Sequence, residues 1–532
     1  MKKNNIFKRI MTYGKYLFSF LLILLSFQTV RNWRYCVAGA AELAVIAVVT
    51  DWLLYRNVVI SRILNALLLL LLNVQFCFLF FSGSFVSVIM LDNVDSLEML
   101  KGKSLPYIAA IVLLIVISLL PVWNIGSKRT GHSRILSVLL SVLLVFTMFA
   151  GNSFSAYYSL YSTFSEVKER QQLEQLVEAV DSDKMAFYHS STDQYYKKPE
   201  AICDKPNIVL IFSEGMSEKI ISDERNITPN IAALREEGLT FSDYFNHTAA
   251  TYRGIIGSLY SGFQLGNLDR NRLISFQKLL KDAGYKTGFM NVEPANASFT
   301  AYLESLGFDE VVNRVSGDSS SKAMMADGEA YEELFSYMER LSEENTPFMA
   351  GIYTVGTHVS WDSPGEVFGD GNSNFLNRFY YMDLQFGKFL ERFKNSSFHD
   401  NTVLVFTTDH CSYADNDYLA VFDDPDGEAF LARIPLIIYY NGIRHQVIDA
   451  GGRNSLCLVP TICDLLDIEG ENYFLGTSLF RRVGEVDSDF DTIYSVDPQI
   501  LTTLNGSIEE LQETQKAVVQ EKLLKYYAVA RE

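Results

Sequence analysis

Predominantly apolar runs occupy about positions 16–30, 36–55, 60–81, 107–123 and 135–150, after which the texture of the chain changes. About 20 apolar residues in a helix cross a hydrocarbon core of about 30 Å, so these runs predict a five-helix transmembrane domain over 1–151. The first run does not read as a signal peptide, because four more follow it and no small-residue cleavage site stands out. Lys2, Lys3, Lys8, Arg9 and Lys15 precede the first run, Arg56 and Arg62 follow the second, and Lys128, Arg129 and Arg134 follow the fourth. The alternate loops carry fewer cations, Arg31 and Arg34 and then Lys101 and Lys103 among acids. This bias predicts a cytoplasmic N-terminus and an outer location for everything after the fifth run.

Residues 152–204 form a polar connector with a helical pattern near 164–180. From Asn207 onward, short apolar runs such as "NIVLIF", "KTGFMNV", "PFMAGIYTV", "NTVLVFTTD" and "IPLIIYY" alternate with amphipathic stretches such as "NIAALREEG" and "AYEELFSYMERLSEE". Alternation of this kind predicts an α/β fold with a mostly parallel central sheet covered by helices on both faces, here over 205–490. A charged helical tail is expected over 491–532. In such sheets ligands bind beyond the carboxyl ends of the strands, and those ends become the places to search.

Charge sharpens the division. Residues 1–151 hold 14 Lys and Arg against 5 Asp and Glu, leaving 31 basic and 58 acidic residues for the rest. An acidic outer region offers no electrostatic footprint for nucleic acid. The six cysteines are scattered and announce neither a disulfide framework nor a zinc site; Cys457 and Cys463 read as packed apolar residues of a helix.

Two buried-looking strands end in metal-competent side chains: Glu214 after "NIVLIFS", and Asp409 with His410 after "NTVLVFTT". Each has a bland reading, as a helix-start acid or a turn. Together they suit one divalent cation of the Mn²⁺ or Zn²⁺ type. The segment "TAATYRGIIGSLYSG" puts Thr251 at the start of a helix, where free amides favour a phosphate, and a neighbouring cation would activate its hydroxyl. An N-cap is the alternative role for Thr251 or Thr248. Arg253 suits a phosphate oxygen or a surface ion pair. His358 follows the strand "FMAGIYTV" and competes with a core-histidine reading, and His247 is a weaker candidate.

In order along the chain, "PNIVLIFSEGMS", "ITPNIAALREEGLTFSDYF", "TAATYRGIIGSLYSG", "GTHVSW" and "FTTDHCSYAD" resemble the membrane-anchored branch of the alkaline phosphatase superfamily. That sulfatase-like branch contains lipoteichoic acid synthases, glucan phosphoglycerol transferases and lipid A phosphoethanolamine transferases. The resemblance implies an enzyme of the bacterial cytoplasmic membrane whose threonine takes a phosphoglycerol-type headgroup from a phosphatidylglycerol-like donor and passes it to a glycan or polymer. It places the metal, Mn²⁺ first with Zn²⁺ or Mg²⁺ as alternatives, on Glu214, Thr251, Asp409 and His410. It gives His358 a role at the phosphate or the leaving oxygen.

The chain departs from the synthases after the third strand, where a His and a Trp-Asn-Arg cluster are replaced by "NVEPANAS"; Asn291, Glu293 and Asn296 are the substrate contacts expected there instead. The alternatives are a phosphoethanolamine transferase, a sulfatase-like phosphodiesterase and a non-catalytic scaffold. No Cys/Ser-x-Pro-x-Arg motif surrounds Thr251, which argues against a sulfatase.

Overall fold

The computed structural model describes residues 2–30, 32–54, 56–82, 85–86, 104–122, 139, 154–180, 182–313, 324–358, 363–422, 427–428, 430–482, 489–496 and 499–532. It divides into two compact units, Met1–Glu169 and Arg170–Glu532, with the division falling inside one helix.

The first unit contains α1 (Lys2–Val30), α2 (Trp33–Leu54) and α3 (Val58–Ser82). Three segments, Met11–Val30, Trp33–Leu54 and Val58–Phe81, are long and apolar enough to cross a membrane. One group of polar side chains is buried and bonded between the helices: Asn65 Nδ2 donates to Tyr16 Oη at 2.7 Å and to Thr50 Oγ1 at 2.8 Å. Side chains that find partners between helices avoid the cost of an unsatisfied dipole in hydrocarbon. The fourth expected span appears as the 15-residue helix α4 (Ser104–Ser118), shorter than a full crossing. Of the fifth, only Leu139 falls within the described residues. The connector helix α5 (Ala156–Ala179) begins earlier than its sequence pattern indicates.

The second unit is built on an eight-stranded sheet. Its strands are β1 (Asn207–Ser213), β2 (Leu239–Ser242), β3 (Lys286–Met290), β4 (Glu310–Val312), β5 (Phe348–Tyr353), β6 (Thr402–Thr408), β7 (Leu436–Tyr439) and β8 (Gln446–Asp449). In space they run β8-β2-β7-β6-β1-β5-β3-β4. All pairings are parallel except those of β7, which is antiparallel to both β2 and β6, so the expected parallel sheet is mixed at one strand. Strands β1, β5 and β6 are buried at every position. This is why their sequences are continuous apolar runs rather than alternating ones. In register, Ser213 pairs with Thr408 at the last position of β1 and β6. The residues that follow each therefore emerge side by side at one edge of the sheet.

The helices that bear on the site are α6 (Thr251–Tyr260) and α7 (Asn374–Lys394). The tail ends in helix α8 (Glu513–Arg531), as its pattern predicts. A three-stranded antiparallel sheet (Ile493–Val496, Gln499–Thr502, Glu509–Glu510) precedes α8 in a region expected to be helical, which corrects that expectation. Cys457 and Cys463 are buried and free, as their spacing suggests.

Candidate metal centre and nucleophile

Glu214, Asp409 and His410 meet where β1 and β6 end, and each offers a ligand atom within 4.8 Å of the others. All three are buried. The backbone turns sharply after Glu214 because Gly215 adopts φ +51°, and a Cβ there would press on His410 Cε1 at 3.3 Å. Glu214 is fixed through its main chain: its N–H donates to Thr354 Oγ1 at 3.1 Å, and its carbonyl accepts from Thr357 Oγ1 at 2.6 Å. Its carboxylate remains free to face the cluster.

Asp409 divides its oxygens. Oδ1 accepts from the N–H groups of Gly215 (2.9 Å) and His410 (2.8 Å). Oδ2 is buried without a hydrogen-bond partner and stands 3.5 Å from His410 Nε2. Glu214 Oε1 lies at the same 3.5 Å from Nε2. The other imidazole nitrogen, Nδ1, lies 2.7 Å from the Cys411 carbonyl. A carbonyl only accepts, so Nδ1 carries hydrogen and Nε2 is the atom turned to the two carboxylates. An orphaned carboxylate oxygen, a second carboxylate and an oriented imidazole nitrogen form a mixed O/N donor set that fits a divalent cation.

Electrostatics agree. Burial, then the Asp409 charge, raises the Glu214 carboxyl to about 7. Burial alone would lower His410, yet Asp409 and Glu214 lift it to about 9. The cation-free cluster therefore holds protons where a metal's charge would sit.

Thr251 completes the arrangement. Its Oγ1 donates to Glu214 Oε2 at 3.0 Å. Thr248, the rival, turns its hydroxyl to the neighbouring Ala249 carbonyl instead. Thr251 opens α6, and the preceding residue, Ala250, sits at φ +77°. A non-glycine residue held there costs of order 1–3 kcal/mol and persists only when its surroundings enforce it. Part of that enforcement is the close approach of α6 to the end of β6, since a Cβ on Gly254 would lie 2.1 Å from the Asp409 carbonyl oxygen. Gly254→Ala is accordingly expected to destabilise the second unit by about 1–3 kcal/mol and to separate Thr251 from the cluster. Thermal denaturation alongside activity checks this; an unchanged melting point and rate would show that the contact does not hold the helix.

Arg253 is buried, near enough to Tyr413 and Tyr494 for its charge to act on both phenols. It is not the surface residue of the alternative reading. His358 lies just past β5, and burial followed by the charges of His410 and Arg378 lowers it to about 4. It is therefore neutral near pH 7. His247 is a packing residue: its Nδ1 is 2.6 Å from Ser455 Oγ, and burial first, then Arg253, lowers it to about 3.

Asn291, Glu293 and Asn296 come together with one another. Glu293 is 1% exposed and accepts from Tyr353 Oη (3.0 Å), Tyr252 Oη (3.1 Å) and Asn296 Nδ2 (3.2 Å). Asn291 is buried as well and accepts from Tyr353 Oη at 3.2 Å. Glu293 and Asn296 thus hold Tyr252, the residue after Thr251, while Asn291 and Glu293 are buried against Tyr353, where sequence had suggested substrate contacts. Sequence reasoning passed over Arg378, which is 1% exposed on α7 with Nη2 3.9 Å from Asp417. The available signal was an arginine on the stripe of Phe375, Phe379, Met382 and Phe386, where a charge requires a reason to be.

Residues 206–468 match the family described as Sulfatase. A lipoteichoic acid synthase-like protein, YvgJ of Bacillus subtilis, is 23% identical over 329 residues, covering 54% of this chain and 52% of that protein. Phosphoglycerol transferase I of Citrobacter koseri is 27% identical over 250 residues, covering 41% of this chain and 32% of that enzyme. The chain thus spans about half the length of the first relative and a third of the second. Among solved structures, the lipooligosaccharide phosphoethanolamine transferase EptA of Neisseria meningitidis superposes with a TM-score of 0.53 at 12% identity, over 91% of this chain and 97% of that one. The likeness is one of fold.

Proposed function

We propose, from the premise that the chain belongs to the Sulfatase family through its domain at 206–468, that it is a membrane-anchored phosphotransferase. It moves a phosphoglycerol-type headgroup from a membrane phospholipid to a glycan or polymer of the cell envelope. The observation that carries this reading is the 3.0 Å hydrogen bond from Thr251 to Glu214, within the cluster closed by Asp409 and His410. The three long apolar helices support attachment to the bilayer that supplies the lipid substrate. The relatives' names support the headgroup class.

Glu214, Asp409, His410 and Thr251 would hold one divalent cation, Mn²⁺ in our reading, which supplies charge neutralisation for phosphate and a lowered pKa for the threonine hydroxyl. Thr251 Oγ1 forms the new bond to phosphorus while the bond to the diacylglycerol oxygen breaks. Glu214 Oε2, already its hydrogen-bond acceptor, receives the threonine proton. Arg253 faces the phosphate oxygens. His358, neutral in the resting site, gains a proton once the phosphate anion settles beside it and delivers it to the leaving oxygen. In the second half, an acceptor hydroxyl gives its proton to His358 as its oxygen displaces Thr251 Oγ1 from phosphorus, and Glu214 returns the proton that restores the threonine hydroxyl. Positioning and charge, more than covalent chemistry, carry such transfers.

Incubation of the detergent-solubilised chain with headgroup-labelled phosphatidylglycerol or phosphatidylethanolamine, with and without β-glucan, is expected to give labelled glucan from the first lipid. Label released only to water would make the protein a phosphodiesterase. Label transferred only from phosphatidylethanolamine would replace the headgroup assignment.

A further inference from the structure

The hydrogen bond from His410 Nδ1 to the Cys411 carbonyl fixes one vertex of the imidazole, and the ring can still rock about that line. What stops it is a second aromatic. The ring of Tyr413 lies flat on His410, with centroids 4.8 Å apart and 5° between the planes. Tyr413 is in turn braced by Phe430, whose ring meets it at 87° with centroids 5.1 Å apart. Gly215 approaches the same imidazole, with a virtual Cβ only 3.3 Å from Cε1. Two restraints of different kinds, a directional bond and a flat contact, thus set both the azimuth and the plane in which Nε2 faces Glu214 and Asp409.

We infer that Tyr413 is a positioning residue for the cation, acting through His410. The inference rests on the metal-centre reading above. An electron-rich phenol ring stacked on an imidazole becomes a better partner as the imidazole gives up electron density to a cation. The stacking therefore favours the loaded site as well as the correct ring plane. Groups that orient a metal-binding histidine from outside are typically worth 10–100-fold in metal affinity. The hydroxyl has no part in this, so phenylalanine should serve.

The test is Mn²⁺ titration of the full-length chain in detergent, followed by electron paramagnetic resonance, for wild type, Tyr413→Phe, Tyr413→Leu, Tyr413→Ala and Asp409→Asn. Tyr413→Phe is expected to bind within about 2-fold of wild type, and Tyr413→Leu and Tyr413→Ala to bind about 10-fold or more weakly. Their melting temperatures with chelator present should stay close to wild type, while the upward shift caused by Mn²⁺ shrinks. Leucine fills much of the volume without a ring face, so it keeps the test open where alanine fails to fold. Affinity in the leucine variant equal to that in the phenylalanine variant, or loss in the phenylalanine variant matching that in leucine, overturns the inference. Failure of the metal reading looks different: wild type and Asp409→Asn would then bind Mn²⁺ equally poorly.

Discussion

Thr251→Ala is expected to lower headgroup transfer by about 10⁴-fold or more, the loss typical of removing a nucleophile from a site that otherwise stays intact. The substitution removes only the Oγ1 that donates to Glu214 and keeps a residue that favours the helical conformation at the start of α6. The apolar residues of that helix, Ile255, Ile256 and Leu259 among them, are fully buried and unaffected. The melting temperature should therefore move little, and inactivity would not reflect misfolding. Radiolabelled donor should leave phosphate on wild type after acid quenching and none on the variant, whereas Thr251→Ser should retain part of both signals. Wild-type turnover in Thr251→Ala would remove threonine from the mechanism.

Asp409→Asn carries the second large effect, a fall in Mn²⁺ affinity of at least about 100-fold. Asparagine keeps the Oδ1 acceptor for the Gly215 and His410 amides and replaces the orphaned Oδ2 by a donor. The variant thus retains the turn and loses the charge. In wild type the same affinity should climb with pH from about 6 to 9, because His410 holds its proton up to about 9 and Glu214 up to about 7, and a metal must displace both.

Stability follows with a definite sign. Both pKa values lie above their ordinary ones, so the folded cation-free protein binds more protons than the unfolded chain. It is stabilised at low pH and loses that contribution as pH rises through about 7 and then about 9. Melting temperatures in chelator should therefore decline across that window, and Mn²⁺ should cancel the decline. A flat profile in chelator would mean that the two groups do not hold protons in the folded state.

The parts of this architecture legible in the sequence are those where one physical demand dominates. Strands β1, β5 and β6 are buried on both faces, so their runs admit little besides apolar residues, and the polar letters that end them stand out. Glu214, Asp409 and His410 were visible for that reason, and Thr251 because a helix pattern begins beside it. Edge strands β4 and β8 were not, since β8 is mostly exposed and "QVID" obeys no burial constraint. The left-handed backbone of Ala250 had no letter to announce it, because alanine is not the residue such a conformation selects. Glu293 and Asn291 were partly legible for the opposite reason: polar residues after a strand suggest a ligand, and here they are buried and bonded to one another and to two tyrosines. Tyr413 was unreadable because ring stacking has no sequence period.

The pairing of Ser213 with Thr408 joins residues separated by more than half of the second unit. No early fragment of the chain can have the two-carboxylate cage, since its second wall is not yet made when the first is finished. During synthesis the cluster therefore cannot assemble until β6 has slotted between β1 and β7. A nascent chain truncated before Asp409 would carry a threonine and a glutamate with nothing to arm them. Long-range closure of this kind is slow, and here it makes the cluster a late product of assembly.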